Sequence, residues 1–190
     1  DALPICHYDF IGLLDADIIL PKNYFKSLID KFEKNNLLGL ASGHLSVINK
    51  KGNLTTPKSS NDIVCGAARI WTRKCFEETG GYQPVMSPDS VSSAKAKIKG
   101  WKIKRFKDIN MTQTRETAGA HGRNKGFHDR GKRHYYLGYN PLRTIVKSLK
   151  LSLFPPSLIG LNYLKGYLEE YINKKPQIPD KEILEYFRKK

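Results

Sequence analysis

The chain has 190 residues, among them 33 Lys or Arg and 18 Asp or Glu, which gives a formal net charge of +15. A hydrophobic share of 39% is enough for a packed core and excludes global disorder. No apolar run reaches the ~18 residues that span a bilayer, no signal peptide is visible, and the three cysteines lack the spacing of a zinc site or a disulfide framework. We therefore expect a cytoplasmic protein.

The first half of the chain alternates between predicted strands and helices. An apolar run over residues 10–14, closed by Asp15-Ala16-Asp17, predicts a buried central strand. Residues 21–35 predict a helix, whose apolar face at helical spacing comprises Phe25, Leu28, Ile29 and Phe32. Residues 37–48 predict a strand, and residues 49–62, rich in Lys, Gly, Ser and Thr, predict an exposed loop or hairpin tip.

The second half moves from strands to helices. Residues 63–71 predict a strand or buried turn, followed by one helix from Thr72 to Gly81 and another from Ser87 to Gly100. Residues 101–106 predict a half-exposed strand with basic residues on its solvent face. The Gly- and charge-rich segment over residues 116–131 predicts a loop. Helical patterns follow it over residues 132–138, 141–153, 157–173 and 180–189.

Asp15 and Asp17 form the first chemically distinctive pattern. Two carboxylates at i and i+2, directly after an apolar strand, can turn toward one cavity where the chain leaves the strand. Mg²⁺ and Mn²⁺ prefer oxygen ligands and keep open positions for water and substrate phosphates. The alternative is a capped turn ahead of the next helix, since an isolated Asp-x-Asp is common.

This pair belongs to an ordered set of short motifs. The stretch from Asp9 to Ile18 is followed by Gly66-Ala67-Ala68-Arg69, Thr79-Gly80-Gly81-Tyr82, Ala94-Lys95-Ala96, Gly100-Trp101, Arg115-Glu116-Thr117 and Gly138-Tyr139-Asn140-Pro141-Leu142. In its order and spacing the set resembles the family 2 glycosyltransferases. These are inverting enzymes with the nucleotide-diphospho-sugar transferase fold.

The resemblance implies an α/β protein with a partial nucleotide-diphospho-sugar transferase (GT-A-like) fold and a mixed sheet, followed by a helical, basic C-terminal tail. We expect residues 1–138 to form the metal site and acceptor half of the catalytic domain, and residues 139–190 to form the tail. In the family about one hundred residues that bind the nucleotide precede the Asp-x-Asp strand, whereas only residues 1–8 precede the corresponding run here. We therefore expect a fragment that lacks most of the nucleotide-binding half and is inactive alone.

The resemblance also assigns roles to single residues. Asp15 and Asp17 correspond to the Asp-x-Asp pair that holds Mg²⁺ or Mn²⁺ on the donor diphosphate, and Asp89 corresponds to the catalytic base. Substrate binding is expected from Gly66, Gly80, Gly81, Tyr82 and Arg115. Gln113 lies where relatives commonly carry a His, and Gln cannot titrate near neutrality. Without the resemblance, Asp89 is an ordinary acidic residue in the first turn of a helix.

The expected substrates are a nucleotide-diphospho-sugar donor and a glycan or lipid-linked acceptor, in the biosynthesis of a cell-surface polysaccharide. The charge distribution points to a further, anionic partner. Residues 1–90 hold 10 basic and 10 acidic residues, so residues 91–190, with 23 and 8, carry the whole excess of +15. In the tail, a basic amphipathic helix over residues 141–153 predicts contact with an anionic membrane surface on the inner face of the cell membrane. The alternative is that this helix simply packs on the catalytic core.

Two other function classes remain open. An inactive, membrane-associated accessory protein of the same fold would explain three departures from the family pattern: Pro88 before Asp89, the absence of acidic residues in Ser90-Val91-Ser92-Ser93 after it, and Gln113. A basic nucleic-acid-binding module would explain the charge, with Trp101, Tyr135 and Tyr136 available to stack on bases. It would not explain the neutral first half, and no helix-turn-helix, zinc-finger or RNA-recognition signature is present.

Overall fold

A computed structural model describes residues 7–48, 52–56, 62–114, 122–153 and 158–190, apart from the side chain of residue 123. The chain divides into two compact units, Asp1–Gln83 with Pro88–Glu116, and Pro84–Ser87 with Thr117–Lys190. The first unit combines helices with a mixed sheet, and the described elements of the second are helices. These observations confirm the predicted mixed α/β class and the helical C-terminal part. The boundary predicted after residue 138 stays a prediction.

The first unit contains β1 (Phe10–Leu14), β2 (Ile18–Ile19), α1 (Tyr24–Glu33), β3 (Leu38–Ile48), β4 (Leu54–Thr55), β5 (Ala68–Thr72), α2 (Arg73–Glu78), α3 (Pro88–Ile98) and β6 (Lys102–Gln113). The strands form one sheet in the order β1-β5-β3-β6-β2, with β4 paired to β3. β3 and β6 are parallel, and the other pairs are antiparallel.

Helices cover both faces of this sheet. Successive strand residues point to opposite faces, so Leu40 and Ala41 of β3 belong to two different apolar clusters. α1 packs in one cluster through Tyr24, Leu28 and Phe32, whereas α2 and α3 contribute to the other. Helix α1 begins at Tyr24 rather than at residue 21. The apolar face predicted for it was partly wrong, because Phe25 is exposed.

β1 is an edge strand among the described residues, not the buried central strand that its apolar run predicted. It pairs only with β5 there, and Gly12 and Leu14 are exposed. The prediction for residues 101–106 was also partly wrong. β6 extends to Gln113, and Arg105 is buried on the same face as Ile103 instead of facing solvent.

The second unit contains α4 (Arg123–Tyr136), α5 (Pro141–Ser152), α6 (Leu158–Ile172) and α7 (Lys181–Lys189). The loop predicted over residues 116–131 was wrong in its second half, because α4 begins at Arg123, and residues 116–121 lie outside the described residues. Gly131 of α4 and Gly166 of α6 serve packing: a Cβ on Gly131 would lie 2.0 Å from the Tyr163 carbonyl oxygen, and one on Gly166 would lie 2.0 Å from that of His128. The helices α4 and α6 therefore touch through their backbones. No helix among the described residues is long and apolar enough to cross a bilayer.

Candidate active site

Asp15, Ala16 and Asp17 connect β1 to β2, the first and last strands of the sheet order. The Asp15 amide donates a hydrogen bond to the Ala67 carbonyl (2.8 Å), which continues the ladder between β1 and β5. The Asp17 carbonyl accepts from the Thr114 amide (3.0 Å) at the end of β6. Since four residue steps reach at most about 14 Å, this short connection holds the ends of β1 and β2 at the same end of the sheet.

Asp89 lies in the first turn of α3, and Arg69 of β5 fixes that turn. The Arg69 side chain is completely buried, and its Nη2 lies 3.2 Å from Asp89 Oδ1, an ion-pair distance without hydrogen-bond geometry. Its Nη1 donates to the Asp89 carbonyl (3.3 Å) and to Ser92 Oγ (3.0 Å), while its Nε donates to the Cys65 carbonyl (3.1 Å). Burial lowers the pKa of the Arg69 guanidinium, and the Asp89 carboxylate partly offsets this.

Gly66 leaves room for the Asp89 carboxylate. A Cβ at this position would lie 2.1 Å from Asp89 Oδ2 and 2.7 Å from its Cγ, so no larger residue fits without displacing the acid. Gly66 is therefore a close-approach position, and the group that approaches it here is the carboxylate of Asp89.

Gly80 and Gly81 end α2 and direct the chain toward Asp89. Gly80 has φ of 74°, its amide donates to the Glu77 carbonyl, and the Gly81 amide donates to the Phe76 carbonyl, which together form a Schellman cap. The turn brings Tyr82 to Asp89, where its hydroxyl donates to Oδ1 at 2.8 Å. Burial, together with this contact to a carboxylate, raises the pKa of Tyr82 to about 12.

The carboxylate of Asp15 lies within the electrostatic influence of the other two predicted acids. Partial burial raises the pKa of Asp15, and the negative charges of Asp17 and Asp89 raise it further, against a smaller lowering by Arg69. Asp17 is held in place, since its Oδ2 accepts a hydrogen bond from Gln113 Nε2 (3.1 Å). The end of the sheet therefore carries concentrated negative charge beside one buried guanidinium.

The donor set suits a hard cation that takes part of its coordination from a ligand. Asp15 and Asp17 supply carboxylate oxygens, and a divalent cation would relieve the repulsion that raises the pKa of Asp15. In the described residues, however, no three His, Cys, Asp or Glu side chains lie close enough to hold a metal ion by themselves. The residues fit a metal that is shared with substrate oxygens, and they do not fit a complete protein cage.

Two neighbours of these acids were not among the predicted site residues. Arg69 binds the backbone and the carboxylate of Asp89, and Gln113 binds Asp17. An Arg in the apolar run Ala67-Ala68-Arg69-Ile70-Trp71 was a usable signal, because a buried Arg needs partners. The contact of Gln113 had no such signal, since it depends on the pairing of β2 with β6. Arg115 lies outside the described residues.

No family model matches this chain. Among solved structures the chain is similar to a mannosyltransferase, PcManGT from Pyrobaculum calidifontis, determined in complex with GDP-Man and Mn²⁺. The sequence identity is 14% and the TM-score is 0.46, over 90% of this chain and 52% of the mannosyltransferase. This chain therefore spans about half the length of that protein.

Proposed function

We propose that this chain is part of a nucleotide-sugar-dependent, inverting glycosyltransferase of the family 2 type. The observation that supports this proposal is the placement of three carboxylates at one end of the sheet. Asp15 and Asp17 directly follow β1, the Asp15 amide binds the Ala67 carbonyl, and the adjacent Gly66 lies against the carboxylate of Asp89. Carboxylates in this arrangement can serve both halves of a sugar transfer. One pair would hold a divalent cation that stabilises the negative charge on a leaving diphosphate, and the third would accept a proton.

Asp89 is the proposed base that takes the proton from the acceptor hydroxyl as it attacks the anomeric carbon. Tyr82 and Arg69 both engage Oδ1, and no described residue donates a hydrogen bond to Oδ2. Oδ2 is thus the oxygen available to the acceptor. The buried Arg69 and the close approach of Gly66 restrict the positions that this carboxylate can take.

Asp15 and Asp17 are the proposed ligands of Mg²⁺ or Mn²⁺. When bound, the metal would supply Lewis-acid stabilisation of charge on the leaving diphosphate. Gln113 orients Asp17 through its hydrogen bond to Oδ2, and the amide of Asp15 is anchored on Ala67. The carboxylate of Asp17 and the backbone of Asp15 are therefore positioned by the sheet before any substrate arrives.

The acceptor side is assigned to the turn formed by Gly80, Gly81 and Tyr82, with Gly66 beside it, and diphosphate binding to Arg115. We propose a glycan or lipid-linked acceptor and a role in the biosynthesis of a cell-surface polysaccharide. The helical second unit would attach the enzyme peripherally to the inner face of the cell membrane, since α5 exposes apolar side chains among basic ones.

The test measures metal-dependent hydrolysis and transfer with the complete gene product and a panel of nucleotide-diphospho-sugars. We expect Asp17→Asn to abolish Mn²⁺-dependent donor hydrolysis. Asp89→Asn should retain donor binding but lower transfer to acceptor by about 10²–10⁴-fold, the usual contribution of a general base. Asp30→Asn is the matched control, because Asp30 is a half-exposed carboxylate on α1 paired only with Lys26 in the described chain, and it should leave both activities unchanged.

The outcomes separate the three function classes. If the folded protein binds vesicles but neither binds nor hydrolyses any donor, the proposed enzymatic activity is wrong and an accessory protein is favoured. The hydrogen bond from Gln113 to the Asp17 carboxylate is the observation that supports this alternative. Tight binding to nucleic acid that survives moderate salt would favour the nucleic-acid-binding module.

A further inference from the structure

Helix α5 packs with its polar side inward. Thr144 and Ser148 are buried, and the Ser148 hydroxyl donates to the Gly160 carbonyl of α6 at 2.8 Å. A Cβ on Gly160 would lie 2.2 Å from the Ser148 carbonyl oxygen, so the two helices are in backbone contact. The apolar residues of α5 consequently point outward, with 73%, 40%, 51% and 62% exposure for Leu142, Ile145, Val146 and Leu149.

A basic cavity opens beside this outward apolar face. It has a volume of about 410 Å³, and Leu142 and Val146 of the apolar face form part of its wall. No acidic residue of the described chain lines the cavity. Its other lining residues include four cations and two tyrosines: Arg143, Lys147, Lys150, Lys190, Tyr139 and Tyr163. The cavity therefore combines concentrated positive charge with an apolar wall.

Lys147 is the most enclosed of these cations. Its Nζ lies 5.9 Å from the ring centre of Tyr139 and 5.7 Å from that of Tyr163, and no described carboxylate pairs with it. Burial, and then the positive charges of Arg130 and Lys190, lower the pKa of Lys147 to about 8. The ammonium group thus lacks the negative neighbour that would stabilise it.

The groups behind Lys147 do not compensate its charge. His134 is buried, and burial together with nearby cations lowers its pKa to about 2, so its ring is neutral. That ring stacks on Tyr139 and its Nδ1 is hydrogen-bonded to the Tyr163 hydroxyl at 2.7 Å. The aromatic floor of the cavity is thereby fixed, and neither His134 nor the two tyrosines offsets the positive charge of Lys147.

We propose that this cavity binds the phosphate group of a phosphomonoester lipid, with the lipid chains lying against the outward apolar face of α5. A phosphate dianion accepts several charge-assisted hydrogen bonds and matches a site with four cations. The adjoining apolar wall is the reason for a lipid rather than free phosphate, because such a ligand would also cover Leu142 and Val146. The inference rests on the membrane attachment of the second unit proposed above, and it is independent of the proposed sugar transfer, since it uses only residues of the second unit.

The test compares binding to vesicles of phosphatidylcholine containing about one tenth phosphatidic acid with vesicles that contain phosphatidylglycerol instead, a phosphodiester. We expect the wild-type protein to prefer phosphatidic acid. Lys147→Gln should weaken that binding about tenfold, whereas Lys165→Gln, the same charge change at an exposed position of α6 outside the cavity, should alter it less than about twofold.

Two further variants keep the result interpretable if Lys147→Gln disturbs folding. Lys147→Arg retains the charge and should restore most of the binding. Val146→Asp places a carboxylate at the exposed wall of the cavity and should abolish the preference for phosphatidic acid, with an unchanged thermal melt. Equal losses in Lys147→Gln and Lys165→Gln, or equal binding to both lipids, would overturn the proposal. So would binding of inorganic phosphate at Lys147 without vesicle binding.

Discussion

The carboxylate of Asp89 is held from three directions. The Tyr82 hydroxyl and the Arg69 guanidinium both contact Oδ1, while Oδ2 lies against Gly66. Each contact comes from a different segment of the first unit, so the position of the acid depends on three local structures at once. If Asp89 is the proposed base, small changes at Gly66 should act on the transfer rate more than on stability.

Replacing Gly66 by Ala tests that expectation. The new Cβ would lie 2.1 Å from Asp89 Oδ2, so the carboxylate has to move, and a displacement of about 1 Å can cost about 10²-fold in rate. Gly12→Ala is the control, because its Cβ would meet neighbours at an ordinary 3.6 Å. The measurements are the transfer rates and thermal melts of both variants. Full activity of Gly66→Ala would contradict the proposed role of Asp89 as the base.

Asp15 gives a prediction about stability and pH. Its folded-state pKa is raised above the unfolded value, so its ionised form destabilises the fold near neutral pH, and this cost disappears as the pH falls through the raised pKa. Asp15→Asn should therefore raise the melting temperature near neutral pH, and the gain should vanish in acid.

Calorimetry of Asp15→Asn at neutral and acidic pH provides the measurement. Asp30→Asn serves as the comparison, because the exposed pair of Asp30 with Lys26 contributes little. A lower melting temperature of Asp15→Asn at neutral pH would show that the repulsion among the carboxylates is compensated in the protein.

Among the secondary-structure elements, the helices of the second unit contact one another closely at glycines. α6 meets α4 where Gly131 and Gly166 lie, and it meets α5 at Gly160. In each place a Cβ would lie within about 2.2 Å of a backbone atom or a serine hydroxyl of the neighbouring helix. Glycine has a low helix propensity. It occurs in these helices because the close packing of the second unit leaves no room for a side chain.

Two glycines of α4 form a matched pair for testing this requirement. Gly126→Ala meets nothing within 4 Å and should stabilise the protein by about 1 kcal/mol through helix propensity. Gly131→Ala would press on the Tyr163 carbonyl and the Tyr167 amide, and should destabilise it by about 1–3 kcal/mol. Urea unfolding measures both, and a stabilising Gly131→Ala would contradict the close contact.

The positions of most helices and strands could be predicted from the sequence. The strands β1, β3 and β5, the helices α1 to α3 and the helices after Asn140 appear near the predicted positions because their apolar periodicity is local. The two-residue strands β2 and β4 were not predicted. The segment of α4 was missed because its glycines suggest a loop, and the reason for Gly131 becomes visible only in its contact with α6. The edge position of β1 was missed because a run of apolar residues does not specify how many strands pair with it.

The charge distribution is a property of the whole molecule, and it is the reason to compare lipid with nucleic acid. Basic residues exceed acidic ones only after residue 90, where α5 also exposes an apolar face. Phosphate contacts alone weaken steeply with salt, whereas burial of apolar side chains does not. Salt dependence therefore distinguishes a purely electrostatic partner from a membrane surface.

We expect nonspecific binding to duplex DNA to fall about a thousandfold between about 50 and 200 mM salt, and binding to phosphatidic acid vesicles to fall much less. Leu149→Gln should weaken vesicle binding without affecting the salt dependence on DNA. Leu54→Gln is the control, since Leu54 in β4 is exposed to nearly the same extent, 61% against 62%. Equal salt dependence on both ligands would argue against a contribution of the apolar face.

For the candidate site, the sequence by itself determined the positions of the three acids and the turns next to them. Asp15 and Asp17 follow an apolar strand, Asp89 begins a helix and Gly80-Gly81 ends one, all of which are local patterns. Only the tertiary structure decided which groups meet these acids. The contacts of Arg69 with Asp89 and of Gln113 with Asp17 join residues 20 and 96 positions apart. The cavity at Lys147 likewise exists only because α5 turns its polar side toward α6. Such contacts depend on strand pairing and helix packing, which local periodicity does not encode.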